Sequence, residues 1–433
     1  MLREVLGQAF FALTLFGCLI LVLATLALIF LLSRHLALRA RGVAEEAWRL
    51  AGPLPPDAAL PHVVVQIPSY NEGAIVARGI ASAALLDWPK DKLHIQVCDD
   101  STDETTALAQ AAVQRCVATG IDAVVLHRTD RWEFKAGALQ SAIAQTPHDY
   151  FAILDVDYVP HPDFLRRCMT ALIADPKLAF VQARPDFLNS GENLMTRAQT
   201  FMLDYHYGIE QATRSWGGMM LPFNGTCGIW RRAAIDAGGG WSGDTLNEDW
   251  DLSYRAWNAG WRGTFLATVP VPGELPTGLG AWMTQQRRWA SGIGQVALKL
   301  LPRVLRNPDL SFSERWGGLF PLFAWFGHVM FAVTMILAVI ALLLKPSLGW
   351  RFALFVYAVY LFGWAALFGS MLIANRFVGR NTPLWRYVID FQIVPYLTLY
   401  VCWANLRSLP ATLMGRSRVF VRTPKRGSAS TSS

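Results

Sequence analysis

Residues 9–32 carry no charged side chain, a run of about 24 residues, which is long enough to cross a hydrocarbon core as one helix. Arg34, His35, Arg39 and Arg41 follow at once, which places that flank in the cytosol and the amino terminus outside. A cleaved signal peptide is the rival reading. The run exceeds a usual h-region and no A-x-A site precedes the basic cluster, so a retained membrane helix is expected. Residues 316–344 and 352–374 form two more uncharged spans with a short loop between them, and Arg376, Arg380 and Arg386 follow the second. Residues 387–406 are weaker, because they contain Asp390, Gln392 and Pro395. They form either a third carboxyl-terminal span or a re-entrant or interfacial segment, which would keep the basic tail in the cytosol.

The polar stretch between the spans has to fold by itself. A hydrophobic content of 53% with 16% charged residues, and 17 tryptophans, suits a chain that is part membrane and part soluble. Much of the +7 charge lies beside the apolar runs, so it reads as contact with anionic lipid headgroups rather than with nucleic acid. Six scattered cysteines without a C-x-x-C pair give no metal framework and suit a reducing cytosol.

After a Pro/Gly linker at 51–56, short apolar strands alternate with helix-length segments, as βαβ units do. Strands are predicted at 63–67, 93–97, 123–126 and 150–154, each ending in polar residues. The chain therefore divides into an amino-terminal membrane helix with its basic flank (1–50), an α/β catalytic domain (51–310), a membrane region (311–415) and a basic, disordered tail (416–433).

Open α/β sheets bind ligands beyond the carboxyl ends of their strands. There the fourth strand delivers Asp155 and Asp157, which share a face of an extended backbone and can aim two carboxylates at one hard divalent cation. Alone, that pair reads as a solvated turn, but four further clusters accompany it. Asp99 and Asp100 end the second strand, where either could accept hydrogen bonds from a base or ribose. Lys135 opens a helix, with Asp130 and Arg131 just before it, and that helix terminus could share a diphosphate's charge. Asn247-Glu-Asp-Trp-Asp251 starts another helix, in which Asp249 or Glu248 could serve as general base to a hydroxyl. Gln285-Gln-Arg-Arg-Trp289 pairs a guanidinium (Arg288) for a leaving diphosphate with an aromatic face (Trp289) for a sugar. Each has a plainer alternative: helix caps, a first-turn acid, or an interfacial amphipathic helix.

Together these motifs resemble the membrane-embedded, processive family 2 inverting glycosyltransferases, which include cellulose and hyaluronan synthases. The resemblance is closer to the plant cellulose-synthase-like mannan and xyloglucan-backbone synthases. It rests on Gln66-Ile-Pro-Ser-Tyr-Asn-Glu72, Asp99-Asp-Ser-Thr-Asp103, Val181-Gln-Ala-Arg184, Leu194-Met-Thr-Arg197, Asp204-Tyr-His206, Phe223-Asn-Gly-Thr226, Glu274-Leu-Pro276 and Gln285-Gln-Arg-Arg-Trp289. It implies a GT-A type, Rossmann-like cytosolic domain on transmembrane helices, in a bacterial inner membrane or a Golgi-type membrane. It implies nucleotide binding by Asp99, Asp100 and Lys135, Mg²⁺ or Mn²⁺ on Asp155 and Asp157, and Asp249 as base. Gln285, Arg288 and Trp289 would grip diphosphate and acceptor. A UDP-glucose or GDP-mannose donor would build a β-linked glucan or mannan. The alternative is a glycolipid synthase that transfers one hexose to ceramide or diacylglycerol. Export or assembly partners remain open. Three departures stand out: Asn247 replaces the usual Thr or Val, Trp250 replaces Met, and Asn224 stands where cellulose synthases have Cys. A cyclic-di-GMP-binding domain is not expected, and the small number of spans puts a wide polymer channel within one subunit in doubt.

Overall fold

The computed structural model describes residues 2–414, so the tail expected at 416–433 lies outside the described residues. The four predicted strands appear as β1 (Val63–Ser69), β2 (Leu93–Asp99), β3 (Asp122–His127) and β4 (Tyr150–Ile153). They join β5 (Leu178–Phe187), β6 (Gly228–Arg231) and β7 (Arg262–Gly273) in a seven-stranded sheet of order β3-β2-β1-β4-β6-β5-β7. β1 to β4 are parallel, as βαβ patterning demands, whereas β6 runs antiparallel to both β4 and β5. The sheet is therefore mixed.

Alternate residues of the central strands feed two separate cores. Val63, Val65 and Ile67 pack on one face with Ile95 and Ala152, while Val64, Phe151 and Ile153 pack on the other. Both faces are covered, which explains why β4 and the first three residues of β1, Val63 to Val65, read as unbroken apolar runs. After α1 (Leu2–Leu50), the helices flanking the sheet are α2 (Ile75–Ala84), α3 (Thr105–Ala118), α4 (Phe134–Ile143) and α5 (Phe164–Ala174). Next come α6 (Leu194–Asp204), a π-helical stretch Tyr205–Gln211, α7 (Ala212–Trp216), α8 (Arg232–Ala237) and α9 (Glu248–Asn258). The chain then runs through α10 (Leu279–Arg306), α11 (Phe312–Leu344), α12 (Gly349–Phe377), α13 (Leu384–Phe391) and α14 (Val394–Leu413).

Four helical stretches among the described residues are long and apolar enough to cross a membrane: Leu2–Leu50, Phe326–Leu344, Pro346–Phe377 and Leu384–Pro410. α1 continues well past the apolar run to Leu50, carrying its basic flank onto the sheet domain. Gly17 lets α1 approach Thr334 of α11 where a Cβ would collide, so a small residue permits close packing of two apolar helices.

Three polar latches join the apolar helices to the sheet domain. Glu46, at the end of α1, accepts from the N–H groups of Ala267 (3.1 Å) and Thr268 (2.7 Å) on β7. Arg380, just after α12, pairs with Asp186 and with Asp204, which also accepts from Asn375 at 2.6 Å. Arg197 of α6 forks onto Asp390 of α13 at 2.8 and 3.0 Å, and Asp390 is only 1% exposed. The charge that weakened the last apolar segment in the sequence is thus a buried partner for the sheet domain. That segment is also broken between α13 and α14.

Candidate active site

A cavity of about 440 Å³ opens at the carboxyl ends of β1, β2 and β4, as strand topology requires. It brings together Asp100, Lys135, Asp155, Asp157, Glu248, Asp249, Gln285, Arg288 and Trp289. Of the residues given a binding or catalytic role in the sequence, Asp99 lies behind its wall, and Asp130, noted beside Lys135, does not line it either.

Asp99 is fully buried and accepts from Thr106 Oγ1 at 2.6 Å, His127 Nδ1 at 2.8 Å and the Ser101 N–H at 3.3 Å. It therefore braces the end of β2. Asp100 receives a two-pronged grip from Arg128, Nε at 2.8 Å and Nη2 at 2.7 Å. The same guanidinium donates to the carbonyls of Trp132 and Phe134. Glu133 and Phe134 adopt positive φ values of 54° and 49°, strained for side chains of that size, and the Arg128 clamp holds them there. Lys135 follows in the first turn of α4 and projects into the cavity.

Lys135 Nζ sits 2.7 Å from Asp155 Oδ1 and 2.8 Å from the Gly225 carbonyl. Burial works against its charge, but Asp155, Glu248 and Asp249 raise its pKa above the ordinary value. The Asp155 N–H donates to Thr226 Oγ1 at 2.9 Å, which ties the end of β4 to the turn at 223–226. Gln182 fixes that turn by accepting from the Asn224 N–H (2.9 Å) and donating to the Thr226 carbonyl (2.7 Å). Gly225 has φ of 78°, and a Cβ there would lie 3.0 Å from Asp249 Oδ2, so glycine is needed on both counts.

Asp249 stands in the first turn of α9, with Oδ1 accepting from the Trp250 N–H at 2.8 Å. Burial first, and then the neighbouring Glu248 charge, push its carboxyl up to about 7, with Lys135 and the Trp250 N–H pulling the other way. A carboxylate poised there is half-protonated near neutrality and suited to accept a proton. α10 supplies Gln285, Arg288 and Trp289 and is latched to the loop before α9. Gln295 accepts from the Leu246 N–H at 2.9 Å, and Gly292 admits Asn247 where a Cβ would collide.

Arg131, noted in the sequence, is joined in the lining by Tyr70, His206 and Glu210, to which the sequence gave no chemical role. Arg131 stacks over Tyr70, 3.4 Å from its ring centroid. In the π-helical stretch, His206 Nδ1 lies 3.0 Å from Glu210 and its Nε2 3.0 Å from Asn224 Oδ1. Burial opposes ionisation of Glu210, yet His206 and Arg214 bring its carboxyl down to about 2. The spacing of His206, Glu210 and Arg214 by four was the available signal, and π-helical turns favour functional sites. Pro321 and His328 extend the lining onto α11, a contact that only the tertiary fold creates.

Eight carboxylate side chains line the cavity against Arg131, Lys135 and Arg288. A diphosphate entering such a site needs added positive charge, and Asp155 with Asp157 offers the oxygen donors a hard divalent cation takes, so the residues fit one.

This mixed α/β sheet with its acidic crevice is of the GT-A type. Residues 61–292 match the family model described as Glycosyltransferase like family 2, and the chain belongs to that family. It is 38% identical over 270 residues to glucomannan 4-beta-mannosyltransferase 7 of Arabidopsis thaliana, covering 61% of this chain and 49% of that protein. It is 37% identical over 385 residues to probable glucomannan 4-beta-mannosyltransferase 9 of Oryza sativa subsp. japonica, covering 86% and 70%. The chain spans about half the length of the first of these. A solved structure, the mannosyltransferase PcManGT of Pyrobaculum calidifontis in complex with GDP-Man and Mn²⁺, aligns over 90% of this chain and 98% of its own. Its TM-score is 0.47 and its identity 19%.

Proposed function

We propose that the chain is a multi-pass membrane hexosyltransferase that inverts at the anomeric carbon and extends a β-linked, β-1,4 glucan or mannan from a nucleotide-sugar donor. The observation that carries this reading is the meeting of Lys135, Asp155, Asp157, Asp249 and Arg288 in one cavity. The relatives' names, which print mannosyltransferase, favour a mannosyl over a glucosyl donor.

Asp249 takes the proton of an acceptor hydroxyl as that oxygen bonds to the anomeric carbon. The bond from this carbon to the diphosphate breaks, and the electron pair leaves with the nucleoside diphosphate. Arg288 and Lys135 face the charge that develops there. Mg²⁺ or Mn²⁺ held by Asp155 and Asp157 would neutralise the diphosphate. Trp289 offers an aromatic face to a sugar ring, and Asp100 acts through Arg128 on the turn that presents Lys135. The catalytic domain sits in the cytosol, where nucleotide sugars are made.

A glycolipid product is the second reading, supported by the extension of the cavity to Pro321 and His328 on the apolar helix α11. Linkage analysis tests inversion. Polymer made from an α-linked donor is expected to release its label to a β-1,4-specific glycanase. Label released only by an α-specific hydrolase would refute the mechanism.

A further inference from the structure

Three imidazoles meet at the edge of the sheet opposite the cavity. His62 precedes β1, His94 is the second residue of β2, and His148 lies two residues ahead of β4. The neighbour order β2-β1-β4, with Val63 beside both Leu93 and Tyr150, sets their amino ends side by side. The rings stack: His62 on His148 with centroids 4.5 Å apart, and His94 on His148 at 4.2 Å. One ligating nitrogen from each lies within 4.8 Å of the others.

Two contacts go beyond ring stacking. His62 Nδ1 and His94 Nε2 approach to 2.8 Å, so two imidazole nitrogens already converge on one point. His94 Nδ1 lies 2.7 Å from Asp122 Oδ2, its directly paired neighbour on β3. A proton on Nδ1 donated to that carboxylate leaves the Nε2 lone pair to accept from His62 Nδ1–H, and a carboxylate on the far ring nitrogen is the arrangement that orients metal-ligating histidines. Arg232 Nε donates to the His148 carbonyl at 2.7 Å, fixing the backbone there.

We propose that His62, His94 and His148 form a binding site for a zinc-class divalent cation, oriented by Asp122, that pins together the amino ends of β1, β2 and β4. Imidazole suits Zn²⁺, Cu²⁺ and Ni²⁺, whereas Mg²⁺ and Mn²⁺ prefer oxygen, so this site and the carboxylates of the cavity select different ions. Tetrahedral zinc with nitrogen ligands at 2.0–2.1 Å separates them by about 3.3 Å. The His62–His94 pair therefore opens slightly and His148 swings inward. His62 shifts its proton from Nδ1 to the exposed Nε2, so no net proton is released. The exposed side of His62 leaves the fourth position to water.

The test uses the full chain in detergent, stripped with EDTA and titrated with Zn²⁺ alone by calorimetry, with Co²⁺ absorption as a second readout. One equivalent of Zn²⁺ is expected to bind the wild type and a D155N/D157N double variant alike. His94→Gln and His148→Gln are each expected to weaken it at least tenfold, and Asp122→Asn by about 10- to 100-fold. Zn²⁺ is expected to raise the melting temperature of the wild type but not of His148→Gln, and Co²⁺ to give the strong visible bands of a four-coordinate site. If one variant fails to fold, the exposed His62→Gln replaces it. Absence of uptake, uptake unchanged in both His94→Gln and His148→Gln, or uptake lost in D155N/D157N would overturn the proposal.

Discussion

Replacing Asp249 by Asn keeps the shape of the first turn of α9, and the amide oxygen can still accept from the Trp250 N–H now bound at 2.8 Å. What is lost is a group that can take a proton. General bases contribute about 10²–10⁴-fold, so kcat is expected to fall by that factor, about 3–5 kcal/mol of barrier. Donor affinity has no reason to fall, because the substitution removes a negative charge from a cavity that receives a diphosphate. The two effects separate by measuring nucleoside diphosphate release for kcat and calorimetry for the donor Kd. The pH profile adds a sign. With the carboxyl pushed up to about 7, kcat/KM of the wild type is expected to rise between pH 6 and 8. The ionised fraction then goes from roughly a tenth to nine tenths. The variant is expected to lose that limb. Retention of kcat within tenfold, with the limb intact, would remove Asp249 as base and point to Glu248 beside it.

Lys135→Met takes away the cation that Asp155, Glu248 and Asp249 share; the kcat/KM midpoint is expected to move above 7 and the donor Kd to weaken at least tenfold, read by pH profile and calorimetry. Asp390→Ala strands Arg197 at a buried contact; breaking such pairs costs about 3–5 kcal/mol, and the partial exposure of Arg197 favours the lower figure. A melting temperature in detergent lower by several degrees is expected, with recovery in an R197L/D390L double variant. Gly292→Ala drives a methyl group into Asn247, so transfer is expected to drop and N247A/G292A to recover part of it in a release assay; equal losses in both would separate the effect from that contact.

The strands and the long apolar helices were legible because their signals are local. The apolar run at 151–154, bounded by polar residues, reads as a buried strand, and 9–32 reads as one helix long and apolar enough to cross a membrane. The reversed β6 was not legible, because four residues at 228–231 carry no sign of direction. Asp155 and Lys135 are 20 residues apart, yet one lies just past the end of β4 and the other in the first turn of the helix after β3, both places that strand and helix patterning locate. Adjacent carboxylates look equivalent in a sequence, but Asp99 is the last residue of β2 and is held by Thr106, His127 and Ser101, whereas Asp100, just past the strand, reaches the cavity wall. Asp390 looked like a fault in a span because its partner, Arg197, lies 193 residues away. The reach of α11 into the cavity through Pro321 and His328 depends on helix placement, for which no sequence pattern speaks.

The most direct test of the central claim is transfer by the purified chain in vesicles. Labelled GDP-mannose and UDP-glucose would be offered separately with Mg²⁺ or Mn²⁺, and product divided into lipid-soluble and ethanol-insoluble fractions. The account predicts metal-dependent incorporation of one donor into insoluble, β-linked polymer, matched by nucleoside diphosphate release and abolished in D155N/D157N. Label confined to the lipid fraction would leave the active site standing but contradict polymer synthesis. Incorporation that persists in EDTA and in D155N/D157N would contradict the site itself.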